Sequence, residues 1–138
     1  STAVRKTFPS KKIITYKPND LTVESIWFFL NHKFGNFANL KIAIIGSGNI
    51  GFKLALKLVE SGVYVNLNRR DKVLGFQLAN TINSIKPKNT IANAEFYEDP
   101  VRACTLCEVI IGTGKTDSLI IDKNMIAVMM KNGILLRK

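Results

Sequence analysis

Hydrophobic positions along the chain change period several times, and each change marks an element. Val23, Ile26, Trp27, Leu30 and Phe34 lie on one face of a 3.6-residue repeat, which predicts a helix. Asp20 or Thr22 can cap its first turn, and Gly35 can stop its last. Lys41 to Ile45 is instead a short, mostly apolar run with Gly46 directly behind it, the pattern of a parallel strand covered on both faces. Ile50, Leu54, Ala55, Leu58 and Val59 return to helical spacing, Gly62 ends that helix, and Val63 to Leu67 predicts the next strand. After Asp71 the spacing is helical again through Val73, Leu74, Leu78, Ala79 and Ile82, and Pro87 to Asn89 marks a loop. A third strand is expected at Glu95 to Tyr97 and a short helix from Pro100 to Leu106. Val109 to Ile111 is a fourth strand, Asp122 to Met129 a helix, and Ile134 to Leu136 a further strand after the Asn132-Gly133 turn signal.

Strands alternating with helices predict an α/β fold: a doubly wound parallel sheet with right-handed crossovers, in three α/β/α layers. Residues 1 to 18 read as a basic lead-in segment whose Ile13 to Tyr16 is a short extended stretch closed by Pro18, and residues 19 to 138 as one domain. A chain of 138 residues with 46% hydrophobic content suffices for one core and hardly for two. The chain opens at Ser1-Thr2 without methionine and stops at Arg137-Lys138 just behind an apolar stretch, as expected of a piece of a longer protein. Its longest apolar runs fall far short of the roughly 18 residues of a membrane span, so a soluble, cytoplasmic protein is expected.

The net charge of +10 suits an anionic partner such as a nucleotide phosphate. Basic residues are spread along the chain, with only short pairs at Arg5-Lys6, Lys11-Lys12 and Arg69-Arg70, which argues against a nucleic-acid surface. Cys104 and Cys107 have the spacing of half a zinc site, but with one other candidate ligand of that kind, His32, a closed metal site of cysteine and histidine cannot be assembled. Two reduced, packed thiols are the expectation, and no metal.

Gly46-Ser47-Gly48-Asn49-Ile50-Gly51 fits G-x-G-x-x-G between a strand and an amphipathic helix, with a second strand returning behind it. Gly46 permits the tight turn, Gly48 lets backbone approach a pyrophosphate, and Gly51 lets helix pack on strand. This is the fingerprint of a dinucleotide site in a Rossmann fold, with the phosphates at the helix N-terminus. The second strand ends in Asn68-Arg69-Arg70, where an NAD site usually carries an acidic residue for the ribose hydroxyls. Guanidinium groups hold a 2′-phosphate that a carboxylate would repel, so the expected cofactor is NADP. Asp71 comes late and is expected to pair with an arginine or cap the following helix.

Gly112-Thr113-Gly114-Lys115-Thr116 ends like a P-loop, but the position of that motif's first glycine is Val109, inside a strand. Gly112, Thr113, Gly114 and Lys115 are therefore expected to border the ribose and nicotinamide at the carboxyl end of the fourth strand.

Together these residues resemble the NADP-binding domain of the shikimate dehydrogenase, glutamyl-tRNA reductase and methylenetetrahydrofolate dehydrogenase group, over residues 19 to 136. Asn68-Arg69 matches the group's motif for the 2′-phosphate, with Arg70 in place of its small hydroxyl residue, and the run from Glu108 to Gly133 is more similar to the methylenetetrahydrofolate branch. The resemblance implies an NADP-dependent oxidoreductase whose small-molecule substrate sits on a domain outside this chain. It also implies a catalytic aspartate near Asn19-Asp20, although the threonine of that segment is missing and Asp20 equally suits a helix cap. The alternative is a nucleotide-sensing regulatory module without catalysis, although such modules usually keep the acidic ribose-binding residue.

Overall fold

The computed structural model describes residues 10–17, 19–46, 49–113 and 121–137. In chain order the elements are β1 (Lys12–Thr15), α1 (Val23–Phe34), β2 (Lys41–Ile45), α2 (Asn49–Glu60), β3 (Tyr64–Asn68), α3 (Lys72–Ile85), β4 (Ala94–Phe96), α4 (Pro100–Cys104), β5 (Val109–Gly112), α5 (Lys123–Ala127) and β6 (Ile134–Arg137). All six strands are parallel and lie in the order β1-β6-β5-β2-β3-β4. The chain winds from β2 through β3 to β4 in one direction and from β5 to β6 in the other, so the order reverses beside β2. This is the expected doubly wound Rossmann arrangement.

The strands carry few polar positions because both faces of the sheet are covered. Ile42, Ile44, Val65, Leu67, Val109, Ile111, Ile134 and Leu136 face α1, α2 and α3 in one core cluster. The intervening Ala43, Ile45, Ile110 and Leu135 face α4, α5 and the two cysteines in a second. Asn66 is a buried polar residue of β3, and its Nδ2 donates to the Ala103 carbonyl at 2.9 Å, so its burial is compensated by a tie to α4.

The extended stretch at Ile13 to Tyr16 is more than a lead-in: Lys12–Thr15 forms the edge strand of the same sheet, in register with Ile134–Arg137. Its alternating burial, with Ile13 inside and Lys12 and Thr15 outside, suits an edge. The Lys11 ammonium donates to the Ile126 carbonyl at 2.8 Å, where it meets the negative end of α5. The cap of α1 is Thr22, not Asp20. Thr22 Oγ1 accepts from the Ser25 backbone N–H while the Ser25 hydroxyl accepts from that of Thr22, a reciprocal box that Asp20 stands too early in the chain to make.

Candidate functional site

The carboxyl ends of four strands share one row of the sheet. Ile45 is in register with Asn68 on one side and Gly112 on the other, and Gly112 with Arg137. In open α/β sheets a ligand occupies the crevice outside this edge, where the strand order reverses. Gly46 leaves β2 at a φ of 123°, a conformation that L side chains rarely adopt, so the turn requires glycine. Ser47 and Gly48 lie outside the described residues, as do Gly114 and Lys115. Asn49, Ile50 and Gly51 form the first turn of α2, whose N–H groups have no partner within the helix and are directed at the crevice.

Gly51 packs less tightly than the fingerprint suggests. A Cβ there would sit 3.6 Å from Ile44 Cγ2 and 3.7 Å from Thr113 Oγ1, ordinary van der Waals distances. Gly51→Ala is therefore expected to leave the fold intact and to raise stability by up to about 1 kcal/mol through helix propensity. A urea midpoint that falls instead would show that the turn needs glycine here for another reason.

Thr113 is buried. Its N–H donates to the Ile45 carbonyl at 2.9 Å and its hydroxyl lies 3.4 Å from the same oxygen. The side chain expected at the cofactor is thus occupied in joining β5 to β2.

At the end of β3 the side chains of the predicted cluster part company. Asn68 and Arg69 line a cleft of about 330 Å³ with Gly46, Gly51, Phe52 and Leu78, between α2 and α3. Arg69 is half-buried, and among the described residues its Nε is the buried side-chain polar atom left without a hydrogen-bond partner. Arg70 is exposed. Asp71 turns away from both arginines: its Oδ1 accepts from the Leu74 N–H at 3.0 Å and caps α3. The carboxylate nearest the ribose position is therefore engaged, and an unpaired guanidinium nitrogen remains at the crevice.

These features fit a dinucleotide. Helix N–H groups suit a pyrophosphate, the glycine turn leaves room for it, and a buried unpartnered N–H suits an anion that the protein itself does not supply.

Asp20 is exposed in a turn before α1, where its carbonyl accepts from the Thr22 N–H at 3.1 Å. The hollow between the first turns of α1 and α2 is lined by Thr22, Glu24, Ile50 and Lys53, and Asp20 is not part of that lining. Phe52 and Leu78, which wall the cleft, escaped the sequence reading because they carry the ordinary periodicity of packed helices.

Cys104 and Cys107 are free and buried in the second core cluster. Burial first, and then the neighbouring Cys107, pushes the Cys104 thiol up from 9.0 to about 12. Burial also pushes Cys107 up to about 12, against an opposing pull from Lys41. Both thiols are therefore protonated and inert at neutral pH. A folded-state pKa above the unfolded one means stability that is complete below about pH 9 and lost as pH rises toward 12. Urea midpoints between pH 7 and 11 should be flat at first and then fall, and replacing both cysteines by alanine should remove the cysteine part of the fall.

No curated protein matches the chain. Solved structures share its fold at low identity. Shikimate dehydrogenase from Aquifex aeolicus aligns with a TM-score of 0.58 and 19% identity over 84% of this chain and 41% of that one. Ornithine carbamoyltransferase from Gloeobacter violaceus gives 0.64 and 15% over 99% and 59%. Malate dehydrogenase from Cryptosporidium parvum gives 0.51 and 23% over 56% and 25%. The chain thus spans from a quarter to about three fifths of the length of these proteins, and the likeness is one of fold. Residues 41–111 also match a family profile, a segment that runs from the first residue of β2 into β5 and contains the glycine turn, the capped α3 and both arginines. With half of its length matched, the chain belongs to the family described as NADP oxidoreductase, coenzyme F420-dependent.

Proposed function

We infer that this chain is the cofactor domain of an NADP-dependent oxidoreductase and that it holds the nicotinamide against a small-molecule substrate carried on a further domain. The observation that carries the choice of NADP is the Arg69 Nε, buried without a partner at the end of β3, beside an Asp71 that is committed to capping α3. A 2′-phosphate supplies the acceptor this nitrogen lacks, and an exposed Arg70 adds charge at the rim.

The roles divide by element. The first turn of α2, at Asn49, Ile50 and Gly51, binds the pyrophosphate through backbone N–H groups, with Ser47 and Gly48 in the connecting turn. Gly112 and Thr113 form the floor beneath the nicotinamide half, with Gly114 and Lys115 following them. NADP when bound supplies the hydride chemistry, and the protein supplies position and exclusion of water. Asp20 enters as an acid-base group if the partner domain brings substrate to the turn before α1.

Calorimetric titration with NADP and NAD in parallel tests this reading. The expected result is NADP binding at least about tenfold tighter than NAD, the effect of one charge-assisted hydrogen bond. Equal affinities would overturn the choice of NADP, and binding of neither would overturn the cofactor role.

A further inference from the structure

We propose that Asn68 is a positioning residue that ties three loops of the crevice together, not a ligand of the 2′-phosphate; the consequence for binding rests on the cofactor reading above. Asn68 stands at the carboxyl end of β3, in register with Ile45 of β2. Its carbonyl accepts from the Gly46 N–H at 3.0 Å, which fixes the start of the glycine turn. Its Nδ2 donates to the Tyr97 carbonyl at 2.9 Å and to the Glu98 carbonyl at 3.2 Å, which fixes the loop leaving β4. One residue thus sets the spacing of the turn after β2, the arginine pair after β3 and the loop after β4.

The donor inventory excludes the direct role. A side-chain amide has two N–H donors and one acceptor oxygen. Both facing groups are carbonyls, so the amide must present nitrogen to them; the flipped orientation would set oxygen against oxygen. With its nitrogen committed to the loop, Asn68 has only Oδ1 to offer a ligand, and an acceptor does not bind a phosphate dianion. The phosphate is left to the arginines.

A second tie spans the same gap, from Lys72 Nζ to Glu98 Oε1 at 3.4 Å, but both partners are largely exposed, 62% and 58%. A pair in that setting contributes little. The amide is the main fastener, and its loss should free the loop.

The test compares Asn68→Ala and Asn68→Asp with the unaltered chain, using Glu98→Ala as a control for the surface pair. Amide exchange over residues 97–99 is read without ligand, and dissociation constants are read for NADP and for NAD. The aspartate variant separates the two roles, because an acidic residue at the end of the second strand is what NAD sites use. If Asn68 is a tie, both variants raise exchange in the loop about tenfold or more and weaken NADP and NAD by the same factor, also about tenfold, as expected for two lost hydrogen bonds. Glu98→Ala then changes little. Unchanged exchange in both variants would overturn the proposal, whatever the binding data. So would a loss confined to NADP, or an aspartate variant that gains NAD, since either places the side chain at the ribose. Should the unaltered chain bind neither nucleotide while exchange still responds to both substitutions, the tie stands and the cofactor reading falls.

Discussion

Replacing Arg69 by alanine is expected to weaken NADP binding by roughly 10- to 100-fold and to leave NAD binding nearly unchanged. The range corresponds to the ~1.5–3 kcal/mol of a hydrogen bond to a charged group. Its second signature lies in stability. In the free protein Arg69 carries a buried nitrogen with no acceptor, a standing cost that alanine removes. The thermal midpoint should therefore hold or rise while affinity collapses, the opposite of what truncating a packing residue does. Arg70→Ala should cost only a few-fold, fading with added salt, because an exposed charge is screened. Calorimetry on both variants with both nucleotides, beside a thermal melt, reads all of this. Equal losses for NADP and NAD would mean that Arg69 only shapes the cleft.

Gly75→Ala should be the most damaging small change in the described fold, lowering stability by about 1–3 kcal/mol, the usual cost of overpacking a filled core. Gly75 lies in α3 directly over β4, and a Cβ there would stand 2.8 Å from Cζ of Phe96, with Cε1 and Cδ1 nearer still. The Phe96 ring is buried and held edge-on by Phe76, with centroids 4.8 Å apart, so it cannot swing aside without uncovering the strand. Gly133 makes a useful contrast. A Cβ there meets the Met129 side chain, whose flexible thioether can move, and Gly133→Ala should cost far less. Denaturant midpoints for the two variants decide the matter; a mild Gly75→Ala would show that α3 can lift from the sheet.

The elements around the crevice were legible because both faces of β2, β5 and β6 are covered, which leaves the unbroken apolar runs at Ile42 to Ile45, Val109 to Ile111 and Ile134 to Leu136. The glycine turn and the arginine pair were legible because local chemistry specifies them. What stayed hidden depends on contacts between distant segments. Nothing in the four residues Lys12–Thr15 tells a strand from a linker until β6 is beside them. The cap passed from Asp20 to Thr22 because Ser25 completes a reciprocal pair, and Gly51 proved roomy because Ile44 and Thr113 stand back from it. Asn68 matched a motif by position, whereas its side chain answers to the backbone of residues far along the chain.

The seam between β1 and β6 also bears on how the protein is made. It joins the two ends of the described chain in parallel register, so it cannot close until nearly every residue has been synthesised. Contacts of such large sequence separation form late and slowly. In that interval Ile134, Leu135 and Leu136 present an open apolar ladder, a template on which another copy could pair. Four residues with one buried isoleucine thus stand between orderly maturation and self-association, and solubility during refolding is decided at the rim of the sheet rather than at its centre.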